Sequence, residues 1–182
     1  MAKYVDIIKT KLIDLKPDGS VFLNQEYFNY ATGLKMVYDD KWEALFGFPK
    51  GGGESMLDQR PCDLALAIQT VTEEAVLYMA EEAKRLTGAD YLCMAGGVAL
   101  NCVANGKLDD AKIFKQIFIQ PAAGDAGGAL GAAYAAHYIY FGKERKVDPT
   151  KMDALQGSYL GTDTIEQDIR GTAGKYKAHF KR

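Results

Sequence analysis

Two glycine-rich segments hold the residues best suited to chemistry. The first, residues 95–101, contains the pair Gly96-Gly97 and ends at Asn101. A ligand can approach glycine closely because no Cβ intrudes. The free N–H groups at the start of the helix expected to follow favour an anion such as phosphate. Asn101 is expected in the first turn of that helix, where its amide can both donate and accept. The segment therefore predicts a site for phosphate or for the ribose of a nucleotide.

The second segment, residues 121–131, contains one acidic residue among small ones. Asp125 has two interpretations, a cap for the next helix or a metal ligand beside a phosphate. The residues alone leave these two open. The glycines of the segment fit either phosphate approach or tight helix packing; they are Gly127, Gly128 and Gly131.

Familiar motifs do not account for these segments. The first turn lacks the GxGxxG spacing of a dinucleotide-binding fold. Gly106-Lys107 lacks the remaining residues of a phosphate-binding P-loop and is expected within a helix. The only histidines, His137 and His179, lie away from both turns, so no histidine-based metal site or nucleophile triad is predicted. The three cysteines form no CxxC motif, which argues against a cysteine-based zinc site.

The elements that must position the turns repeat one plan. An apolar strand at residues 91–95 is followed by the first turn and a helix at 98–110. A second strand at 113–120 is followed by the second turn and a helix at 129–141. Strand, glycine turn and helix in succession are typical of parallel βα units, so an α/β fold with helices packed on a sheet is expected.

The strongest predicted helix precedes these units, at residues 60–87. Pro61 suits its first turn and Gly88 its end. Its apolar stripe is expected at Leu64, Ile68, Val71, Ala75, Met79 and Leu86. Its solvent-facing side is expected at Glu73, Glu74, Glu81, Glu82 and Lys84. Cys93, within an apolar strand, is expected to be a buried, reduced thiol, which favours a cytoplasmic protein.

The remaining segments are expected to be shorter elements. Residues 4–15 have helical periodicity, residues 21–28 resemble a strand, and residues 38–46 form a short amphipathic helix. Trp42 is expected in the core. Residues 47–58 are expected to be a loop and residues 163–177 a terminal helix capped by Thr162 or Asp163.

Composition limits the class of partner. The chain has 182 residues, enough for one domain with its own core, and a formal net charge of −2. That charge argues against a nucleic-acid-binding protein. No apolar stretch reaches the length of a membrane span, and the start of the chain is charged, so neither a membrane protein nor a signal peptide is predicted.

The two turns and their flanks closely resemble the O-carbamoyltransferase family, which includes nodulation-factor and antibiotic-tailoring enzymes. The first resemblance runs from Leu92-Cys93-Met94-Ala95-Gly96-Gly97-Val98-Ala99-Leu100-Asn101 to Asn105-Gly106-Lys107-Leu108. The second covers residues 118–133, including Pro121-Ala122-Ala123-Gly124-Asp125-Ala126-Gly127-Gly128. The segment Asp63-Leu64-Ala65-Leu66-Ala67-Ile68-Gln69 is similar to the family's preceding helix.

The resemblance implies a relation to the catalytic subunit of tRNA threonylcarbamoyladenosine synthase and to the actin-like ATPase fold of sugar kinases and chaperone ATPases. Such enzymes bind ATP between two halves. In the family, carbamoyl phosphate and ATP give carbamoyl-adenylate, and the carbamoyl group passes to a small-molecule hydroxyl acceptor. By resemblance Gly96, Gly97, Asn101, Gly127 and Gly128 would line the nucleotide site. Asp125 would ligate a divalent metal, iron or similar.

The family's paired-histidine metal motif and its carbamoyl-phosphate-handling domain have no counterpart in this sequence. The expectation is therefore that residues 1–182 form a single domain, the C-terminal half of the actin-like domain, with an incomplete site and no activity alone. An apolar face left by the other half would favour a homo-oligomer. Two alternatives are a non-catalytic assembly domain and a sugar-kinase-like phosphotransferase.

Overall fold

The computed structural model describes residues 1–51, 58–150, 155–159 and 161–179. The chain divides into two compact units, Met1–Gly127 and Gly128–Arg182. The first unit contains two small sheets and most of the helices, so the chain has the mixed α/β character expected from the sequence.

The first unit begins with a helix that ends earlier than predicted. Helix α1 (Ala2–Ile7) continues as a π-helical turn (Ile8–Leu12), and strand β1 (Ile13–Leu15) follows. β1 pairs antiparallel with β2 (Val21–Leu23), with Asp14 opposite Phe22. The helix predicted for residues 4–15 and the strand predicted for 21–28 were therefore both too long. The helix gives way to β1 where residues 13–15 pair with β2, and β2 ends where the Asn24 side chain caps the next 3₁₀ helix by accepting from the Glu26 N–H (3.2 Å).

A short 3₁₀ helix (Gln25–Tyr27) and helix α2 (Asp39–Phe46) follow, and α2 confirms the short helix predicted at 38–46. Trp42 packs against the first hydrophobic cluster, as predicted for a core residue. The buried members of this cluster are Tyr4, Ile8, Leu12, Phe46, Ala67 and Val71. Of the loop predicted for residues 47–58, residues 52–57 lie outside the described part of the chain.

Helix α3 (Gln59–Thr87) confirms the long helix predicted at 60–87. The Asp58 side chain caps its start by accepting a hydrogen bond from the Arg60 N–H (3.3 Å). Gly88 ends it in the left-handed conformation, as the sequence predicted. α3 extends beyond the first cluster to the second, and so connects the N-terminal elements with the glycine turns.

The buried stripe of α3 agrees with the predicted one at Val71 and in part at Leu64, but differs from it at other positions. Ile68, Met79 and Leu86, expected in the core, are exposed. The buried positions carry mainly short side chains, Ala67, Val71, Val76 and Ala80, together with Glu73. Small residues let neighbouring elements approach the helix closely. The prediction followed the spacing of the larger apolar residues, which lie on a different face of the helix over most of its length.

Strands β3 (Tyr91–Met94) and β4 (Gln116–Ile119) are parallel, with Cys93 opposite Phe118, which confirms the predicted parallel pairing. Between them lie a 3₁₀ turn (Gly97–Leu100) and helix α4 (Cys102–Asp110). The predicted single helix at 98–110 is therefore two helices separated at Asn101. The two sheets of the unit are each two-stranded.

The second hydrophobic cluster packs α3 and α4 against one face of this sheet. Its buried members are Val76, Ala80, Ala104, Leu108 and Phe114, with Leu92, Met94 and Ile117 packed against them. Full burial of a leucine such as Leu108 contributes about 1.5–3 kcal/mol. This cluster fixes the strand ends from which the glycine turns emerge.

The opposite face of the β3–β4 sheet is exposed. Tyr91 is 65% and Phe118 56% exposed. Cys93 is exposed as well, so the prediction of a buried thiol was wrong. The strand's apolar composition had suggested cover on both faces, but the described residues cover only one.

Helix α5 (Asp125–Tyr134) begins four residues before the predicted position 129 and continues as a π-helical segment (Ala135–Tyr140). Helix α6 (Glu166–Tyr176) begins after Ile165, so neither Thr162 nor Asp163 is its N-cap. No helix in the described ranges combines the length and apolar character that crossing a membrane requires.

Candidate functional site

The first glycine turn lies at the carboxyl end of β3 and is open toward solvent. Gly96 has φ +96°, a conformation that side-chain-bearing residues rarely adopt. A Cβ built on Gly96 or Gly97 would meet no atom within 4 Å. The Gly96 N–H donates to the Ala123 carbonyl of the second turn (2.8 Å). Both predicted turns are thereby joined at the ends of parallel strands, where α/β sheets bind ligands.

Asn101 is the N-cap of α4, and not a residue of its first turn as predicted. Its Oδ1 accepts from the Ala104 N–H (3.1 Å), and its backbone is extended. The same amide forms a reciprocal pair with Gln69 of α3. Asn101 Nδ2 donates to Gln69 Oε1 (2.9 Å), and Gln69 Nε2 donates to Asn101 Oδ1 (3.1 Å). The amide orientation of Asn101 is therefore fixed from two directions.

Glu73 is the functional candidate that sequence analysis missed. The sequence placed it on the solvent-facing side of α3, but it is 5% exposed. One carboxylate oxygen accepts from Gln69 Nε2 (2.9 Å), and the other is paired with the Lys107 ammonium of α4. Its spacing along α3 does not distinguish it from Glu74. Its burial is explained by the ion pair with Lys107, 34 positions away in the sequence, together with the hydrogen bond from Gln69.

These contacts change the ionisation of the buried carboxyl group. The hydrogen bond from Lys107, followed by that from Gln69, holds the pKa of Glu73 below its ordinary value, while burial acts in the opposite direction. Glu73 is therefore a carboxylate at neutral pH, able only to accept hydrogen bonds. A charged, acceptor-only group thus lies next to the amide that pairs with Asn101.

Asn105 supports the turn from its other side. Its Nδ2 donates to the Ala99 carbonyl (2.8 Å), and Ala99 itself is buried. The Ala99 N–H donates to the Gly96 carbonyl (3.0 Å). The backbone that follows the glycine pair is therefore held by the Asn105 side chain of α4, while Gln69 of α3 holds the Asn101 side chain.

Asp125 is the first residue of α5 and is exposed. Within the described ranges no group of three or more His, Cys, Asp or Glu side chains is arranged to hold a metal ion. His137 lies in the π-helical segment, its ring 4.8 Å from that of Tyr138, and His179 is exposed. Among the residues that the structure describes, neither histidine belongs to a three-ligand group.

The glycines of the second turn differ in their surroundings. A Cβ on Gly127 would lie 2.0 Å from the Ala122 carbonyl oxygen, a distance that no structure tolerates. Gly128 and Gly131 have open space at the same position. Close backbone approach within the turn therefore explains Gly127, and leaves a ligand role open for Gly128.

Comparison with known proteins identifies relatives of this chain. Residues 2–134 match the family model described as "Carbamoyltransferase N-terminus". The chain is 51% identical over 175 residues to "Uncharacterized protein sll1178" of Synechocystis sp., covering 94% of this chain and 28% of that protein. It is 47% identical over 75 residues to "Nodulation protein NolO" of Bradyrhizobium diazoefficiens, covering 41% of this chain and 14% of that one.

"Nodulation protein NolNO" of Sinorhizobium fredii gives 48% identity over 75 residues, which is 41% of this chain and 11% of the relative. The chain thus spans little more than a quarter of the Synechocystis protein and less of the nodulation proteins. The matched family region includes both glycine turns and the whole Gln69–Asn101 contact. From its sequence, the chain belongs to the carbamoyltransferase family, in the region of that family's N-terminus.

Proposed function

We propose that this chain supplies one wall of the ATP site of an O-carbamoyltransferase. The observation that supports it is the open Gly96-Gly97 turn, with φ +96° at Gly96 and no atom within 4 Å of a Cβ at either position. Such a turn leaves room for a phosphate or ribose against the backbone. In a chain of the carbamoyltransferase family, the nucleotide is the ligand that this geometry favours.

The proposal gives each predicted residue a role. The backbone at Gly96 and Gly97 leaves room for the nucleotide, while Gly127 shapes the second turn. The resemblance to the family is the reason to propose Gly128 as a further nucleotide-binding residue. Of the two N–H groups on Asn101 Nδ2, one donates to Gln69. The second has no hydrogen-bond partner among the described residues, so it is available to a ligand oxygen. This second N–H group would donate a hydrogen bond to the nucleotide or to carbamoyl-adenylate.

Asp125 is proposed as one ligand of a divalent metal. Its carboxylate is exposed at the start of a helix, but the described residues give it no set of two further ligands. The remaining ligands would come from outside these residues, and no step of the reaction is derived through the metal. The actin-like ATPase fold is likewise proposed for the larger domain to which this chain would belong.

In the proposed reaction, carbamoyl phosphate reacts with water to give carbamate and phosphate. A carbamate oxygen then attacks the α-phosphorus of ATP and displaces pyrophosphate, which gives carbamoyl-adenylate. The hydroxyl group of a small-molecule acceptor attacks the carbamoyl carbon, loses its proton and displaces AMP. Because the chain spans 28% of its Synechocystis relative, the acceptor and carbamoyl-phosphate contacts are assigned to other parts of the full enzyme.

Because the chain would supply only one side of the nucleotide pocket, we expect weak nucleotide binding, confined to the residues around the Gly96-Gly97 turn. Titration of the ¹⁵N-labelled chain with MgATP, followed by NMR, is expected to shift the Gly97 and Val98 amide signals. The expected dissociation constant is in the millimolar range, about −4 kcal/mol. Gly97→Val should abolish these shifts without lowering the thermal midpoint, because its Cβ meets no protein atom within 4 Å.

Gly106→Val is the matched control, since Gly106 is equally open but lies in α4. It should leave the ATP-induced shifts unchanged. Shifts that persist undiminished in Gly97→Val would refute the proposed position of the nucleotide. Micromolar affinity in the unsubstituted chain would refute the claim that only one wall is present.

A further inference from the structure

We propose that Gln69 and Glu73 are positioning residues that orient Asn101 toward the nucleotide; this inference rests on the proposed function. The two residues lie one turn apart on α3 and contact neither glycine of the turn in any described hydrogen bond. They act instead through a continuous chain of contacts, from Lys107 to Glu73, to Gln69 and to Asn101.

In this series of contacts, each donor and acceptor is determined by the residue before it. Glu73 is a carboxylate and can only accept, so it selects the amide orientation in which Gln69 Nε2 faces it. Gln69 Oε1 then faces Asn101 Nδ2 and accepts from it. Exchange of the oxygen and nitrogen of the Gln69 amide would place two acceptors together at Glu73 and two donors together at Asn101. The buried charge therefore reinforces, through Gln69, the Asn101 orientation that the Ala104 N–H also favours, and with it the direction of the free N–H of Asn101.

Packing of α3 on α4 does not require this network. The two helices already share the buried side chains of Val76, Ala80, Ala104 and Leu108. The Glu73–Lys107 ion pair is a poor source of stability, because Glu73 is desolvated while the half-exposed Lys107 is screened by solvent. Its presence beside the N-cap of α4, one turn from the open glycine pair, is better explained by the orientation of Asn101.

The experiment compares two glutamines of the same helix. Gln69→Leu removes the network while retaining a side chain of similar size. Gln59→Leu is the control, because Gln59 Nε2 also donates to a carboxylate four residues on, Asp63 (2.8 Å), but does not reach the turn. For each chain, the MgATP dissociation constant from the Gly97 amide shift and the hydrogen-exchange rate of the Ala104 N–H are measured.

Gln69→Leu is expected to weaken MgATP binding about tenfold and to speed Ala104 exchange by a similar factor, the effect of losing about one hydrogen bond to an oriented group. Gln59→Leu should change neither. Equal MgATP affinity in Gln69→Leu and the unsubstituted chain would overturn this inference alone, even if the thermal midpoint fell. Absence of any ATP-induced shift in the unsubstituted chain would instead contradict the proposed function, and this inference with it.

Discussion

Gly127→Ala is expected to lower the free energy of unfolding by about 1–3 kcal/mol, the usual cost of forcing an extra group into a filled space. The new Cβ would lie 2.0 Å from the Ala122 carbonyl oxygen. That oxygen belongs to the backbone, so relief requires movement of the turn. The adjacent Ala123 carbonyl holds the Gly96 N–H (2.8 Å), so the displacement would reach the first turn.

The matched control is Gly106→Ala, in the same unit. Gly106 lies within α4 and has no atom within 4 Å of a built Cβ. Alanine is the better helix former, so this change should raise stability by up to about 1 kcal/mol. Urea denaturation followed by circular dichroism measures both. A Gly127→Ala chain as stable as the unsubstituted one would show that the described turn is wrong.

Lys107→Met is expected to destabilise the chain in a pH-dependent way. It removes the cation from Glu73, a carboxylate that is 5% exposed. The expected loss at pH 7 is about 1–2 kcal/mol, the lower part of the range for buried charged groups, because Lys107 itself is half exposed and Gln69 still donates to Glu73.

The sign of the pH dependence follows from the direction of the pKa shift. The folded-state pKa of Glu73 lies below its unfolded value of 4.5, so the stabilisation is complete above that value. It is lost as the pH falls through the folded-state pKa. Lys107→Met removes the largest cause of the lowering. The stability gap between the two chains should therefore be widest near neutral pH and should narrow below pH 4.5.

Lys115→Met provides the control for this measurement. Lys115 pairs with Asp90 (2.7 Å), but both side chains are exposed, so solvent screens the pair and its loss should leave stability essentially unchanged. Urea denaturation of the three chains at neutral and acidic pH gives the comparison. A gap for Lys107→Met that widens on acidification would contradict the assigned ionisation of Glu73.

Local patterns predicted the elements around the site. The parallel pairing of β3 and β4 and the two glycine turns follow from strand and glycine spacing, which depend on neighbouring residues. The long helix α3 was similarly predictable, including its end at Gly88. The resemblance to carbamoyltransferases was confirmed by the family match over residues 2–134.

These local patterns did not predict contacts between residues that are far apart in the sequence. Glu73 was expected in solvent because no cationic side chain lies within a few residues of it in the sequence; its cation, Lys107, comes from α4. The buried phase of α3 was missed because alanine carries little periodic signal. Cys93 was expected to be buried because an apolar strand resembles one covered on both faces. In each case the missing information lay in which elements pack together.

A chimera shows whether this chain forms part of a carbamoyl-transferring ATP site. This chain replaces its matching segment in the Synechocystis relative, to which it is 51% identical over 175 residues. The parent protein is assayed alongside. The measurement is pyrophosphate release from ATP, with and without carbamoyl phosphate.

We expect pyrophosphate release that depends on carbamoyl phosphate in the chimera and its parent. Asp125→Ala and Gly97→Val within the chimera should abolish it while leaving the thermal midpoint unchanged. Release of ADP without dependence on carbamoyl phosphate would support a sugar-kinase-like phosphotransferase instead. Full pyrophosphate release in both substituted chimeras would contradict the proposed ATP site. It would indicate that the two turns serve only in packing.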